Sequence, residues 1–143
     1  MNQSEFDIPD HYRHWEGDTA EDYLGPFFFY MKAETACTAF RVDARHCNAH
    51  QSLHGGILMA FADYTLCIAA NGGQHDSVVT VTCNNEFMAP AYANDLVTGR
   101  GEVIKRGGSL IFTRCQLKAR DQVILTASGV IKRLRGQTPS VTD

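Results

Sequence analysis

The sequence has no apolar run able to span a bilayer. Its longest, residues 57–70, covers 14 positions and carries Asp63 near its middle, whereas a spanning helix takes roughly 20. No basic, then apolar, then small-residue leader is visible at the N-terminus, so the expected setting is cytoplasmic, without membrane contact. There is no Cys-x-x-Cys. The five cysteines, Cys37, Cys47, Cys67, Cys83 and Cys115, are odd in number and scattered, which fits a reducing compartment better than a disulfide framework. Ser52, Ser109 and Ser128 lack a Gly-x-Ser-x-Gly context, which excludes an α/β-hydrolase nucleophile. Gly99-Arg-Gly101 and Gly107-Gly108 fall between strand-like segments and not before a helix, so neither is a dinucleotide fingerprint. No repeat, linker or low-complexity tract divides the chain.

What is present suits one folded domain: 143 residues, 44% apolar and 20% charged, enough to bury a core without staples. The net charge of −3 is unevenly spread, since residues 1–99 carry −9 and residues 100–143 carry +6. An acidic chain with no nucleic-acid motif excludes nucleic acid as a partner. Two readings of Arg100, Lys105, Arg106, Arg114 and Lys118 stay open: attraction to the acidic region, within or between subunits, or a few phosphate ligands.

The periodicity predicts an α+β domain. Residues 1–17 read as an irregular acidic arm. Asp18-Thr-Ala-Glu21 reads as a capping box that opens a short helix, stopped at Gly25-Pro26. Residues 27–31 form an aromatic run, read as a strand or buried turn. In 38–43, Phe40 and Val42 alternate with Arg41 and Asp43 as a half-buried strand. Residues 54–71 make the one long helix, bracketed by glycines and apolar nearly all round, hence buried. Val79, Val81, Cys83 and Phe87 then alternate with polar residues. Segments 96–105, 110–119 and 123–134 follow as strands separated by turns at Asn94-Asp95, Gly107-Gly108 and Arg120-Asp121. The expectation is an antiparallel meander wrapped around one central helix.

Asp63 is the most informative residue, because a carboxylate in mid-helix among apolar neighbours is expensive unless paired or set in a functional cleft. His54-Gly55-Gly56 is the second signal: free N–H groups at a helix start favour negative charge and can hold an oxyanion developing from a thioester or ester carbonyl. A structural Asp and a plain glycine turn explain the same residues without chemistry. From Gly56 to Asp63 is about 10 Å of helix, too far for both to serve one carbonyl from one chain. If they cooperate, the site lies across a two-fold dimer interface. His46, His50 and His54, four apart with Cys47 alongside, have zinc-like spacing on a helix, but residues 48–52 read as a loop, so no metal or cofactor is expected.

Asn48-(x5)-His54-Gly55-Gly56-(x6)-Asp63, with Val79-Thr80-Val81, Phe87-Met88-Ala89-Pro90 and Lys105-x-Gly107, resembles the hotdog-fold acyl-CoA thioesterases of the phenylacetate-pathway (PaaI-type) branch, over residues 33–134. The resemblance implies that Asp63 is the catalytic carboxylate, nucleophile or general base. It implies that the Gly55 N–H polarises the thioester carbonyl, that Asn48 and His54 position the carbonyl or water, and that Thr80 orients the water or the carboxylate. It also implies a homodimer, assembled further into a homotetramer. Gly56, Phe61, Tyr64, Lys105 and Arg106 are the expected substrate contacts. Residues 1–32 are expected as an arm with a short helix and residues 33–143 as the hotdog domain. Gln51 stands where these thioesterases often carry Gly; if a positive φ is needed there, a reshaped Asn48 loop is expected.

Acyl-CoA hydrolysis is therefore the leading expectation. A non-catalytic acyl-CoA-binding domain and an enoyl-CoA hydratase using His54 are the alternatives on the same scaffold. A retained Asp63 argues against the first, and the glycine pair after His54 against the second.

Overall fold

The computed structural model describes residues 1–134; the end of the expected domain, residues 135–143, lies outside the described residues. The long helix, α2 (Gly55–Asn71), forms where glycines bracket the apolar run. His54 caps its start by accepting the Gly56 N–H on Nδ1 at 2.9 Å. Gly72 ends it in the left-handed conformation, φ 66°, which would cost a residue with a Cβ about 1–2 kcal/mol. A short helix, α1 (Thr19–Leu24), starts where predicted, with Asp18 Oδ1 accepting the Glu21 N–H at 3.0 Å.

Seven antiparallel strands make one sheet: β1 (Arg13–His14), β2 (Phe28–Lys32), β3 (Thr35–Arg41), β4 (Val78–Phe87), β5 (Leu96–Arg106), β6 (Leu110–Ala119) and β7 (Gln122–Arg133), in the order β1-β2-β3-β5-β6-β7-β4. The sheet wraps α2, which packs on β3 to β7. β6 shows why the wrap works: Ile111, Thr113, Cys115, Leu117 and Ala119 turn inward, while the residues between them stay exposed, the period-2 pattern of a sheet with one dry face. Gly101 lets the helix come close, since a Cβ there would lie 2.9 Å from the Thr65 carbonyl oxygen. The buried hydroxyls at this contact satisfy one another. Thr38 Oγ1 donates to Thr65 Oγ1 at 2.8 Å, and Thr65 Oγ1 donates to the Phe61 carbonyl at 2.9 Å, so no polar group is stranded there.

The structure also departs from the sequence reading in places. The meander covers β5, β6 and β7 only; β4 crosses the sheet to pair with β7. The alternation of buried Phe40 and Val42 with Arg41 and Asp43 holds, but upstream of it β3 is buried on both faces, because the arm packs over its outer side. There Ile8, Phe28 and Ala39 form a small second core, and Arg41 holds the arm by donating to the Phe6 carbonyl at 3.1 Å and the Asn94 carbonyl at 3.0 Å. The arm is not wholly irregular either, since β1 extends the sheet through β2. Finally, the alternating Val79, Val81 and Phe87 do not face a dry interior. β4 is an edge strand with an irregularity between Thr80 and Thr82, and these side chains are exposed, Val81 by 54% and Phe87 by 53%. With Met88 they leave apolar side chains exposed on a strand that has no second neighbour among the described residues, a feature isolated proteins normally blunt.

No helix among the described residues is long and apolar enough to cross a membrane.

Candidate active site

Asp63 sits on the third turn of α2, half-buried, and faces β4. Thr80 Oγ1 donates to Asp63 Oδ1 at 2.5 Å, a charge-assisted bond that fixes the carboxylate and leaves Oδ2 without a partner among the described residues. Cys67, one turn on from Asp63, approaches the same pair: its Sγ lies 3.4 Å from Thr80 Oγ1 and 3.9 Å from Asp63 Oδ1. Burial, reinforced by the Asp63 charge, pushes the Cys67 thiol up to about 12, so it stays protonated and is no nucleophile here. Sequence reasoning passed over Cys67; the i, i+4 spacing from Asp63 is the signal that would have placed it on the same helix face.

The other predicted group gathers at the helix start. Asn48 Oδ1 accepts from the N–H groups of His50 at 2.9 Å and Ser52 at 3.2 Å, which folds residues 48–52 into a tight loop and leaves the Asn48 amide hydrogens available. Gln51 occupies this loop at φ 64°, so the glutamine takes the left-handed backbone that glycine adopts freely. Gln51→Gly is expected to raise stability by about 0.5–1 kcal/mol, read as a higher urea midpoint with an unchanged slope. An unchanged midpoint would mean that the loop carries no strain.

His54 Nδ1 takes the Gly56 N–H, so the ring is the Nε2–H tautomer and Gly56 has no donor to spare. The Gly55 N–H, by contrast, meets no acceptor among the described residues, and the Phe87 ring packs beside the residue, 3.3 Å from where a Cβ would be. The two groups remain apart: eight residues of helix separate Gly55 from Asp63, about 12 Å. Within one chain the structure joins Asp63 to Thr80 and His54 to Gly56, while the Asn48 side chain bonds within its own loop.

The expected substrate contacts divide. Tyr64 lines a cleft of about 770 Å³ together with Asp63, Cys67 and Thr80. Phe61 does not: it is fully buried, with its ring centroid 4.8 Å from Phe40 and 5.1 Å from Phe27. Its apolar ring belongs to the core, where i, i+3 spacing from Tyr64 put it beside the cleft without opening onto it. Arg106 donates to the Ala70 carbonyl at 3.0 Å, capping the end of α2 far from its start, and Lys105 beside it is exposed. Of the zinc-like histidines, His46 is fully engaged, with Nδ1 accepting the Asp43 N–H at 2.8 Å and Nε2 donating to the Gly25 carbonyl at 3.1 Å. Burial holds its pKa below the usual histidine value, as expected for a neutral structural ring.

The cleft also contains a carboxylate that the sequence reading treated only as part of a cap. Glu21 of α1 lines it, and burial, together with the nearby charges of Asp18, Asp63 and Asp22, pushes its carboxyl up to about 7. A capping box with its acid half-buried is indistinguishable in sequence from an exposed one.

Residues 50–126 match the family described as the thioesterase superfamily. A candidate esterase of Pseudomonas aeruginosa is 32% identical over 112 residues, 76% of this chain and 84% of that protein. The acyl-coenzyme A thioesterase PaaI of Escherichia coli is 32% identical over 93 residues, 65% of this chain and 66% of that protein. Among solved structures, the Escherichia coli PaaI protein superposes with TM-score 0.77 at 26% identity, covering 85% of this chain and 88% of that one. The TT0310 protein of Thermus thermophilus superposes with TM-score 0.73 at 24% identity, covering 82% and 99%. The sheet wrapped around α2 is the hotdog fold of these neighbours.

Proposed function

The chain belongs to the thioesterase superfamily, and from that membership we propose that it hydrolyses an acyl-CoA to the free acid and coenzyme A, with Asp63 as the catalytic carboxylate. The observation that carries this reading is the Thr80–Asp63 pair at 2.5 Å opening on the cleft. Thr80 holds Oδ1, so Oδ2 is the oxygen that attacks the thioester carbonyl or takes a proton from the attacking water. A thiolate leaves readily, so one carboxylate and a polarised carbonyl suffice. The Gly55 N–H, at the positive end of α2, is the donor for the developing oxyanion. One such donor is worth about 3 kcal/mol of barrier. On this reading the Asn48 amide and the His54 ring, through its Nε2–H, are the groups that orient carbonyl or water there. Lys105 is the candidate for a coenzyme A phosphate; Arg106, bound to the helix end, serves α2 first.

The distance along α2 supports a site shared by two chains, with Asp63 of one meeting Gly55 of the other. The exposed apolar side chains of β4 support a homodimer formed along that edge, which can pair again into a tetramer. On this reading residues 1–32 are an arm added to the hotdog domain at 33–143, and the protein works in the cytoplasm on a soluble substrate.

Mixing two inactive variants tests the shared site. Asp63→Asn removes the carboxylate. Gly55→Pro removes the one N–H at the first helical position, where proline is tolerated. Refolded together, they form mixed dimers with one intact site each, and about a quarter of the wild-type thiol release is expected for random two-fold pairing. No recovery from dimers shown by mass to be mixed would place each site within one chain and reject the shared arrangement.

A further inference from the structure

The cleft that opens on Asp63 gathers acidic side chains. Glu16, Asp18, Glu21, Asp63 and Asp76 line it, and no lysine or arginine among the described residues does. Glu16 is paired with His14, but Asp18, Glu21, Asp63 and Asp76 form no ion pair among the described residues. Burial first, and then the neighbouring carboxylates of Asp18, Asp63 and Asp22, push the half-buried Glu21 carboxyl up to about 7, as expected where no cation answers the acids.

A second, independent observation concerns Tyr64. It is 3% exposed and lines the same cleft, and its hydroxyl has no hydrogen-bond partner among the described residues. Burial, then Glu21, Asp18 and Asp22, hold that phenol well above its ordinary pKa, so it is a neutral group facing carboxylates. A buried hydroxyl without a partner is costly, and the group that would relieve it carries hydrogen-bond donors.

We propose that this cleft is the acyl subsite and that it selects acyl groups ending in an ammonium, held by the Glu21 carboxyl group and the Tyr64 hydroxyl. The inference rests on the reading of Asp63 as the group that acts on an acyl-CoA. Coenzyme A carries phosphates, and five carboxylates repel that end of the substrate, which leaves the cleft for the acyl end. A methyl terminus would leave the carboxylates and the Tyr64 hydroxyl dry and unpaired, and a carboxylate terminus would add repulsion. An ammonium answers both demands, since it neutralises the crowded acids and donates hydrogen bonds. A bare metal ion is a poorer fit: no group of three or more potential ligands occurs among the described residues. The aromatic wall at Trp15 suits the methylene stem and the cation alike.

Four acyl-CoAs of similar length test it by thiol release: heptanoyl, 6-hydroxyhexanoyl, 6-aminohexanoyl and adipoyl, beside a reference panel of aryl, short-chain and long-chain acyl-CoAs. The amino member is expected to show kcat/KM at least about tenfold above heptanoyl, mainly through KM, with adipoyl slowest. Glu21→Gln and Tyr64→Phe should each shrink that ratio, while Glu34→Gln, exposed and away from the cleft, should leave it in place. Tyr64→Phe keeps the ring and removes the stranded hydroxyl, so it should lose selectivity without losing thermal stability, which separates selection from folding. Equal rates for the amino and hydroxy members, or a preference for heptanoyl or adipoyl, overturn the ammonium subsite while leaving hydrolysis standing. Release from neither the four nor the panel overturns the hydrolytic reading itself, and this inference with it.

Discussion

Asp63→Asn is expected to lower kcat for thioester hydrolysis by about a thousandfold or more, with KM within a few-fold of wild type. The substitution is nearly isosteric, so Thr80 can still donate to the remaining side-chain oxygen and the contact between α2 and β4 survives. What is lost is the second carboxylate oxygen, the atom with no partner among the described residues. Because Asp63 is only half-buried, the thermal midpoint should move little. A midpoint close to wild type together with near-complete loss of thiol release identifies a group used in the chemical step. Retention of more than about a tenth of the activity would remove Asp63 from the reaction.

Phe61→Ala should do the opposite, and its effect on stability is the largest expected here. The ring lies fully buried between Phe27, Phe40 and Tyr64, with centroid separations of 5.1, 4.8 and 6.2 Å. Truncation leaves a cavity at the centre of the fold and is expected to cost about 3–5 kcal/mol, a large share of the roughly 5–15 kcal/mol that holds a domain together. The thermal midpoint should fall by roughly 10–20 °C, followed by circular dichroism. At low temperature the surviving enzyme should keep the wild-type order of acyl-chain preference, since the ring does not face the cleft. A change in acyl preference with little loss of stability would return Phe61 to the list of substrate contacts.

The contrast between these neighbours shows what the sequence could reveal. The helix was legible because its signals are local: a cap at His54, glycines at both ends and an unbroken apolar run. Asp63 was legible as an exception within that run, and the later strands because alternation and turn residues mark them within a residue or two. Long-range pairing is not written locally. Nothing between residues 72 and 95 announces that β4 passes over to β7, so the alternation at Val79 and Val81 does not reveal that they line an edge. The burial of β3 on both faces depends on an arm more than twenty residues upstream, and the role of Glu21 depends on α1 lying against α2. Phe61 and Tyr64 illustrate the limit most directly: both are aromatic and nearly sealed from water, yet only Tyr64 borders the cleft.

The late pairing of β4 has a consequence for how the protein comes into being. Asp63 is synthesised before the chain is half made, but its hydroxyl partner Thr80 is held by a strand whose neighbours run up to Arg133, opposite Val78. Closing so long a loop costs chain entropy before any contact repays it. On the ribosome the carboxylate therefore waits without its partner through the making of three more strands. The Asp63–Thr80 pair is expected to form only once β7 is made, and a product cut short before β7 to lack it.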